Sequence, residues 1–226
     1  TAFPGAAKFR DVNNSGTVDL DDATCLGEVM PRHTGSFQLN FNYKNFDLSS
    51  NFNWTAGGKV YNVAAMINAS GQEFDGIGAQ RTSWVADTYK VYNVNSSGDL
   101  YAVTDPNELN ALNANAKYHL PYHQSGITSS EWLEDGSYLR LQTLTLGYTL
   151  PHTVLNKIHI EKLRIYLTAT NLFTITGYSG IDPEVNATPT GQSGFYSNLR
   201  VFPTLNMDFG TYPRARTFTL GANITF

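Results

Sequence analysis

The stretch that most constrains this chain is its C-terminal run Tyr212–Phe226, YPRARTFTLGANITF. Even positions carry Phe218, Leu220, Ala222, Ile224 and Phe226, whereas odd positions carry Thr217, Thr219, Gly221, Asn223 and Thr225. A strict period of two places the two sets on opposite faces of a β-strand. One face is apolar and the other small and polar, so the strand must bury its first face against a second sheet or against lipid.

The pattern recurs upstream. Phe37, Leu39, Phe41 and Tyr43 alternate with Ser36, Gln38, Asn40 and Asn42, and after a tight Lys44-Asn45 connection Phe46, Leu48, Phe52 and Trp54 alternate with Asp47, Ser49, Asn51 and Asn53. This predicts a hairpin over residues 34–56. The outward face of a soluble sandwich is usually rich in Lys and Glu. Here the polar face is nearly uncharged, which suits a water-filled lumen. Further strands are predicted over 137–150 and 161–173. In the former, Leu139 and Leu141 fall in one phase and Leu144, Leu146, Tyr148 and Leu150 in the other, so the slip near Thr143 predicts a β-bulge or a strand buried on both faces.

Composition narrows the class. Charged residues make up only 15% of the 226 residues and the formal net charge is −4, so no basic surface is available for nucleic acid. The single cysteine, Cys25, excludes an internal disulfide. No apolar run approaches the roughly 20 residues of a membrane helix, and Thr1–Gly5 is not a signal peptide. A transmembrane β-barrel escapes both tests, because its lipid face is hidden in alternate residues.

From Gly57 to Gly136 the periodicity dissolves into a segment rich in Asn, Ser, Gly and Ala with scattered aromatics. Short helices are predicted near Val60–Ile67 and Asn107–Asn115, the second with Asp105-Pro106 as cap and first turn. A structureless connection this long counts against a compact soluble fold and matches the outer loops of a large barrel. A second long loop, containing Gly177-Tyr-Ser-Gly-Ile-Asp-Pro-Glu-Val185, leads to the final strand. Connections therefore alternate between long and short, which is outer-membrane barrel topology.

Residues 1–33 contain one chemical motif, Asp11-Val-Asn-Asn-Ser-Gly-Thr-Val-Asp-Leu-Asp-Asp22. Counting from Asp11, oxygen donors fall at the calcium-loop positions: Asn13, Ser15, Thr17 through its carbonyl, Asp19 and Asp22, with Gly16 at the sharp turn. Asp22 replaces the usual bidentate Glu and no helical pattern precedes the loop. The competing reading is a polar turn whose Asp and Asn side chains cap their own backbone.

Catalytic constellations are weak. Gly177-Tyr-Ser-Gly180 is one residue short of a nucleophile elbow and lies in a loop. His119 and His123 are separated by Pro121, which prevents a shared helical face, and the adjacent acids Glu134 and Asp135 do not converge on one bond. The chain is not expected to be an enzyme. Six Asn-x-Ser/Thr triplets, at Asn13, Asn53, Asn68, Asn95, Asn186 and Asn223, include two inside predicted strands and reflect composition.

Four blocks carry a family resemblance: Trp132–Pro151, Leu163–Phe173, Tyr178–Val185 and Tyr212–Phe226, together with the acidic loop Asp11–Asp22. They resemble, in order, the C-terminal barrel strands of SusC/RagA-type TonB-dependent transporters of the Gram-negative, Bacteroidetes-like outer membrane. The resemblance implies an all-β fold in which residues 1–226 supply about five C-terminal strands of a barrel of about 22 strands. Plug domain and earlier strands are expected to lie outside the chain. The resemblance further implies energised import of oligosaccharides or peptides, with TonB, a SusD-like surface lipoprotein and the rest of the barrel and plug as partners and outer-membrane lipid as surroundings. The alternative is a soluble extracellular carbohydrate-binding β-sandwich with a structural calcium loop. A sandwich buries its Phe/Leu/Tyr faces; a barrel leaves them exposed.

Overall fold

A computed structural model describes residues 4–70, 82–120, 129–155, 160–185 and 206–226. The chain forms two compact units: Gly27–Val63 with Leu133–Phe226, and Thr1–Leu26 with Ala64–Trp132. In chain order the strands are β1 (His33–Tyr43), β2 (Phe46–Ala56), β3 (Lys59–Tyr61), β4 (Tyr92–Val94), β5 (Leu100–Ala102), β6 (Leu133–Asp135), β7 (Tyr138–Thr149), β8 (Lys162–Thr176) and β9 (Thr217–Thr225). The α-helices are α1 (Val63–Ser70), α2 (Thr82–Asp87), α3 (Pro106–Leu112) and α4 (His152–Leu155).

The first unit is built on a five-stranded antiparallel sheet in the order β1-β2-β7-β8-β9. Register follows the side-chain alternation: Phe37 faces Phe52, Phe41 faces Leu48 and Tyr43 faces Phe46 across the two-residue turn. Leu146 then sits between Leu48 and Leu167, and Leu167 in turn opposes Leu220. A one-residue slip anywhere in this ladder would carry its leucines to the polar side, so the apolar face itself fixes the register. Phe37 and Phe52 stack with centroids 4.8 Å apart, and Phe46 tilts against Tyr148 at 4.7 Å.

The slip near Thr143 is a bulge. Register shifts opposite Asn51/Phe52, leaving Gln142 without a ladder partner, and as a result Leu139 and Leu141 share a face with Leu144 and Leu146. The Gln142 side chain accepts from Asn53 Nδ2 at 2.8 Å on the polar side. β8 answers the bulge with Asn171, which adopts φ 50°, a conformation Asn tolerates better than most residues.

This face is not a core. Phe41 is 60%, Phe218 66% and Leu220 75% exposed, and among the described residues no second sheet covers them. That overturns the sandwich alternative, which required the same side chains to be buried. No described helix is long and apolar enough to cross a membrane.

The two ends of the sheet differ as the loop lengths predict. At one rim, Thr149 N donates to Asn45 O and Glu161 N to Thr225 O, so both short connections and the end of β9 lie together. Long segments leave from the other rim. The described residues between 57 and 136 are more structured than expected: β2 and β7 continue past Gly57 and Gly136 as the small β3–β6 ladder, and Val60, placed in the predicted helix, is a buried β3 residue.

Two glycines let side chains pass over the polar face. The Asp47 carboxylate on β2 pairs with the Arg164 guanidinium on β8 across Gly147 of the intervening β7, and a Cβ at Gly147 would strike both. Gly221 of β9 lies under the Tyr166 ring in the same way, the aromatic covering a strand that lacks its own side chain.

In the second unit, β4 and β5 form a short hairpin whose Asn93 and Tyr101 both reach Glu108 of α3. Asp105 caps α3 by accepting from Asn107 N at 3.0 Å, with Pro106 in the first turn, as the sequence predicts. Lys117 pairs with Asp87 at 2.7 Å.

Candidate functional site

At the long-loop rim, four sequence blocks that are far apart in the chain come together on the polar face. Arg140 alternates with the outward Leu139 and Leu141, so its side chain belongs with Asn53 and Thr174 on that face. Yet it is only 2% exposed, because the loop after β8 folds over it. Its Nη2 lies 2.5 Å from Asp182 Oδ1 and its Nη1 3.1 Å from Glu184 Oε2. Its Nε donates to Thr174 Oγ1 at 3.0 Å, and the guanidinium lies 5.3 Å from the Tyr138 ring centre. Arg214 clamps the second Glu184 oxygen at 2.5 Å. Two arginines thus neutralise two carboxylates, the condition under which charges can be buried at tolerable cost.

The same loop is pinned at its start. Tyr178 is buried with Val60 and Val185, and its hydroxyl donates to Asp208 Oδ2 at 2.6 Å. Asp208 Oδ1 accepts from Gly210 N and Thr211 N, both at 2.8 Å. Glu134 on β6 accepts from Ser179 N and Ser179 Oγ, each at 2.7 Å, and from the buried Asn62 amide at 2.9 Å. Burial pushes the Tyr178 hydroxyl above its ordinary range, with the Asp208 carboxylate adding to the shift. For Asp208, burial works upward but is outweighed by the Thr211 backbone N–H, the Tyr178 hydroxyl and the Gly210 N–H, so its carboxyl sits below the usual value.

A depressed carboxyl contributes stability above its unfolded pKa and loses it as pH falls through the folded one. Tyr178→Phe removes one of the bonds that hold Asp208 low. The variant is expected to lose protection of the Gly210 and Thr211 amides at a higher pH than the parent. Hydrogen exchange between about pH 5 and pH 3 checks this, and identical pH profiles would refute it.

These contacts also answer the catalytic readings. Ser179 is held by a carboxylate and an amide, while Glu134 and Asp135 point to different partners, the latter to Ser137 N at 2.8 Å. His119 bonds Glu131, and His123 lies outside the described residues.

The six candidate ligands of the acidic loop, Asp11, Asn13, Ser15, Thr17, Asp19 and Asp22, lie within one closed turn. Asp11 accepts from Ser15 N at 3.1 Å and Gly16 N at 2.8 Å, Asn13 from Ser15 N at 2.8 Å, and the Ser15 hydroxyl donates to Thr17 O at 2.9 Å. Asp22 accepts from Val12 N at 2.7 Å and from Asp19 N at 2.9 Å, closing the loop end on its start. Asp19 caps the short 3-10 turn Leu20–Asp22. Backbone bonds, the one from Asp19 foremost, hold the Asp22 carboxyl below its usual range. Among the described residues no three His, Cys, Asp or Glu side chains gather closely enough to hold a metal ion.

No family model matches the chain. The TonB-dependent receptor P3 of Formosa agariphila is 30% identical over 223 residues, a match that takes in 99% of this chain and 19% of that receptor. SusC of Bacteroides thetaiotaomicron, also a TonB-dependent receptor, is 27% identical over 225 residues, covering 96% of this chain and 17% of SusC. Over nearly its whole length the chain is thus similar to a segment of SusC/RagA-type TonB-dependent receptors, in their C-terminal barrel region. It is an outer-membrane segment of a Bacteroidetes-type bacterium. A second Formosa receptor, P26, matches at 30% identity over 98% of this chain and 20% of its own length. The segment therefore spans about a fifth of the length of the receptors it matches. Among solved structures, the RagAB peptide importer in its open-open state has the same fold, with a TM-score of 0.62 and 23% identity over 93% of this chain and 19% of that one. All these relatives are named as receptors or importers, none as an enzyme.

In an outer-membrane barrel segment the exposed Phe/Leu/Tyr face is the lipid face. The network around Arg140 is the part that sequence reasoning missed. Arg140, Glu184 and Arg214 lie in three of the blocks that carry the resemblance, Trp132–Pro151, Tyr178–Val185 and Tyr212–Phe226, but nothing in their spacing says that they meet.

Proposed function

We propose that residues 1–226 form the C-terminal part of one TonB-dependent transporter barrel domain and act there as wall and outer mouth of an active importer. Supporting this reading is a single observation: one sheet carries an apolar face on which Phe41, Leu146, Leu167, Phe218 and Leu220 are exposed and, on its reverse, an amide and hydroxyl lattice in which, among the described residues, the one strand-to-strand ion pair, Asp47–Arg164, is self-neutralising. Such a face offers many hydrogen bonds and few charges, as in a water-filled conduit. The open edges of β1 and β9 would be paired by the rest of a barrel of about 22 strands, since lipid cannot satisfy them. Import would draw on TonB through an N-terminal plug region and on a SusD-like surface lipoprotein. Cargo would be oligosaccharides or peptides; the RagAB relative is named as a peptide importer.

Deleting the full receptor gene tests this. Growth on oligosaccharide or peptide as sole nutrient is expected to fail on one class and to be restored by the intact gene. Unchanged growth on both, with no lipoprotein co-purifying from detergent-solubilised outer membranes, would reject the importer reading.

Calcium is proposed for the acidic loop. Asp22 bonding to Val12 N and Asn13 N brings the first and last ligand positions side by side, as chelation requires. Binding would gather six to eight oxygens at about 2.3–2.6 Å, the Thr17 carbonyl among them. Proteolysis between Asp11 and Asp22 in the full receptor is expected to speed up on chelation. A rate indifferent to chelator would mean that the turn stands on its own hydrogen bonds.

A further inference from the structure

Arg140 raises a question that the barrel wall alone does not answer. Its ladder partners on the polar face, Asn53 and Thr174, are half-buried and Ser36 in the same row of β1 is exposed, and an arginine on a lumenal wall would ordinarily be hydrated too. Here every guanidinium nitrogen is committed to protein: Nε to Thr174, Nη1 to Glu184 and Nη2 to Asp182. Thr174 belongs to the wall; Asp182 and Glu184 belong to the loop that follows β8. The loop has therefore turned inward across the polar face instead of standing away from the rim.

Its inward course is fixed at three further points that share no residue with the Arg140 contacts apart from Glu184. Arg214, just before β9, holds the free Glu184 oxygen; Glu134 of β6 holds Ser179; Asp208 holds Tyr178. Asp182, Pro183 and Val185 are buried, while Ile181 just before them is 65% exposed. The segment thus presents one apolar side chain and keeps both carboxylates turned towards arginines.

We infer that Tyr178–Val185 is an inward-folded latch that narrows the long-loop mouth of the conduit, and that Arg140 is the positioning residue that keeps it closed against the wall. The inference rests on the importer reading only in calling the polar face a conduit. Two carboxylates against two arginines leave no net charge at the constriction, so the latch limits passage by its bulk and by Ile181. Without Arg140, Asp182 would face the wall as an unpaired buried carboxylate, and the segment would lift towards water to hydrate it.

Thiol accessibility in the full-length receptor on intact cells tests the latch directly, with Cys25→Ser as the background. Pro183→Cys is expected to react slowly with a membrane-impermeant maleimide and Ile181→Cys quickly. Arg140→Gln should raise the Pro183→Cys rate at least about tenfold at unchanged receptor abundance, because labelling of a buried site follows the population of its open form. Arg140→Lys keeps the charge facing Asp182 and should restore much of the protection; a loss that only reflected altered packing would not be rescued in this way. If Arg140→Gln lowers abundance, Arg214→Met, which loosens only the outer half of the clamp, is expected to give a smaller increase in the same direction. Equal fast rates at positions 181 and 183 in the parent, or a rate at 183 indifferent to both arginine variants, would overturn the latch. The labelling does not depend on cargo, so a failed growth test would reject the importer and leave this result standing.

Discussion

An arginine in place of Leu220 is expected to destabilise the receptor by about 2–4 kcal/mol if the position lies near the bilayer midplane, whereas an arginine in place of Thr219 is expected to cost a fraction of that. Leu220 opposes Leu167 in the apolar ladder and is 75% exposed; its neighbour Thr219 opposes Thr168 on the polar side. The two sites share a strand and a depth and differ only in facing. Gly221 would be a poor control for the polar side. Its missing Cβ leaves the space that the Tyr166 ring fills, so a side chain there adds a collision unrelated to lipid. Heat-modifiable gel mobility of the full receptor, folded into vesicles over a urea series, measures the difference. Equal penalties at 219 and 220 would mean that β9 is buried on both faces, and the assignment of lipid to one of them would be wrong.

What was legible in the sequence follows from the length of each periodic run. β1, β2, β7, β8 and β9 span nine to fifteen residues, long enough for period two to declare itself, and the misfit of Leu141 and Leu144 pointed to a bulge or a two-sided strand near Thr143, which the ladder resolves as a bulge at Gln142. β3 to β6 are three residues each, too short for any period, and their pairing partners lie outside the local window. The α3 cap was readable because Asp105 and Pro106 act on their immediate neighbours. The acidic loop was equally local, and there the backbone bonds to Asp11 and Asp22 realise the turn that both readings needed. The latch could not be read in this way. Arg140 is separated by 42 residues from Asp182 and by 44 from Glu184. On the alternation pattern Arg140 is merely one more lumenal polar residue. Arg164 on the same face finds its acid, Asp47, within the sheet, whereas the acids that pair Arg140 come from the loop after β8, and period two carries no information about that loop.

Arg140→Met is expected to cost the loop about 3–5 kcal/mol of local stability, the range for removing one partner of a buried ion pair. The magnitude follows from what is left behind. Asp182 is 6% exposed and its Oδ1 keeps only the Glu184 N–H at 2.9 Å, which does not replace a guanidinium. Glu184 loses less, because Arg214 still holds its other oxygen and water reaches it. Hydrogen exchange of the Glu184 and Ser179 amides reads the loss locally, where global unfolding of a large barrel would mask it. The cost should not be additive with removal of the acids. Adding Asp182→Asn and Glu184→Gln to Arg140→Met removes the uncompensated charges and is expected to restore a substantial part of the protection, since replacing an entire buried ion cluster is often close to neutral. A triple variant no better protected than Arg140→Met alone would assign the loss to missing packing against Tyr138 and Thr174, and the ion pairs would then not be what holds the loop.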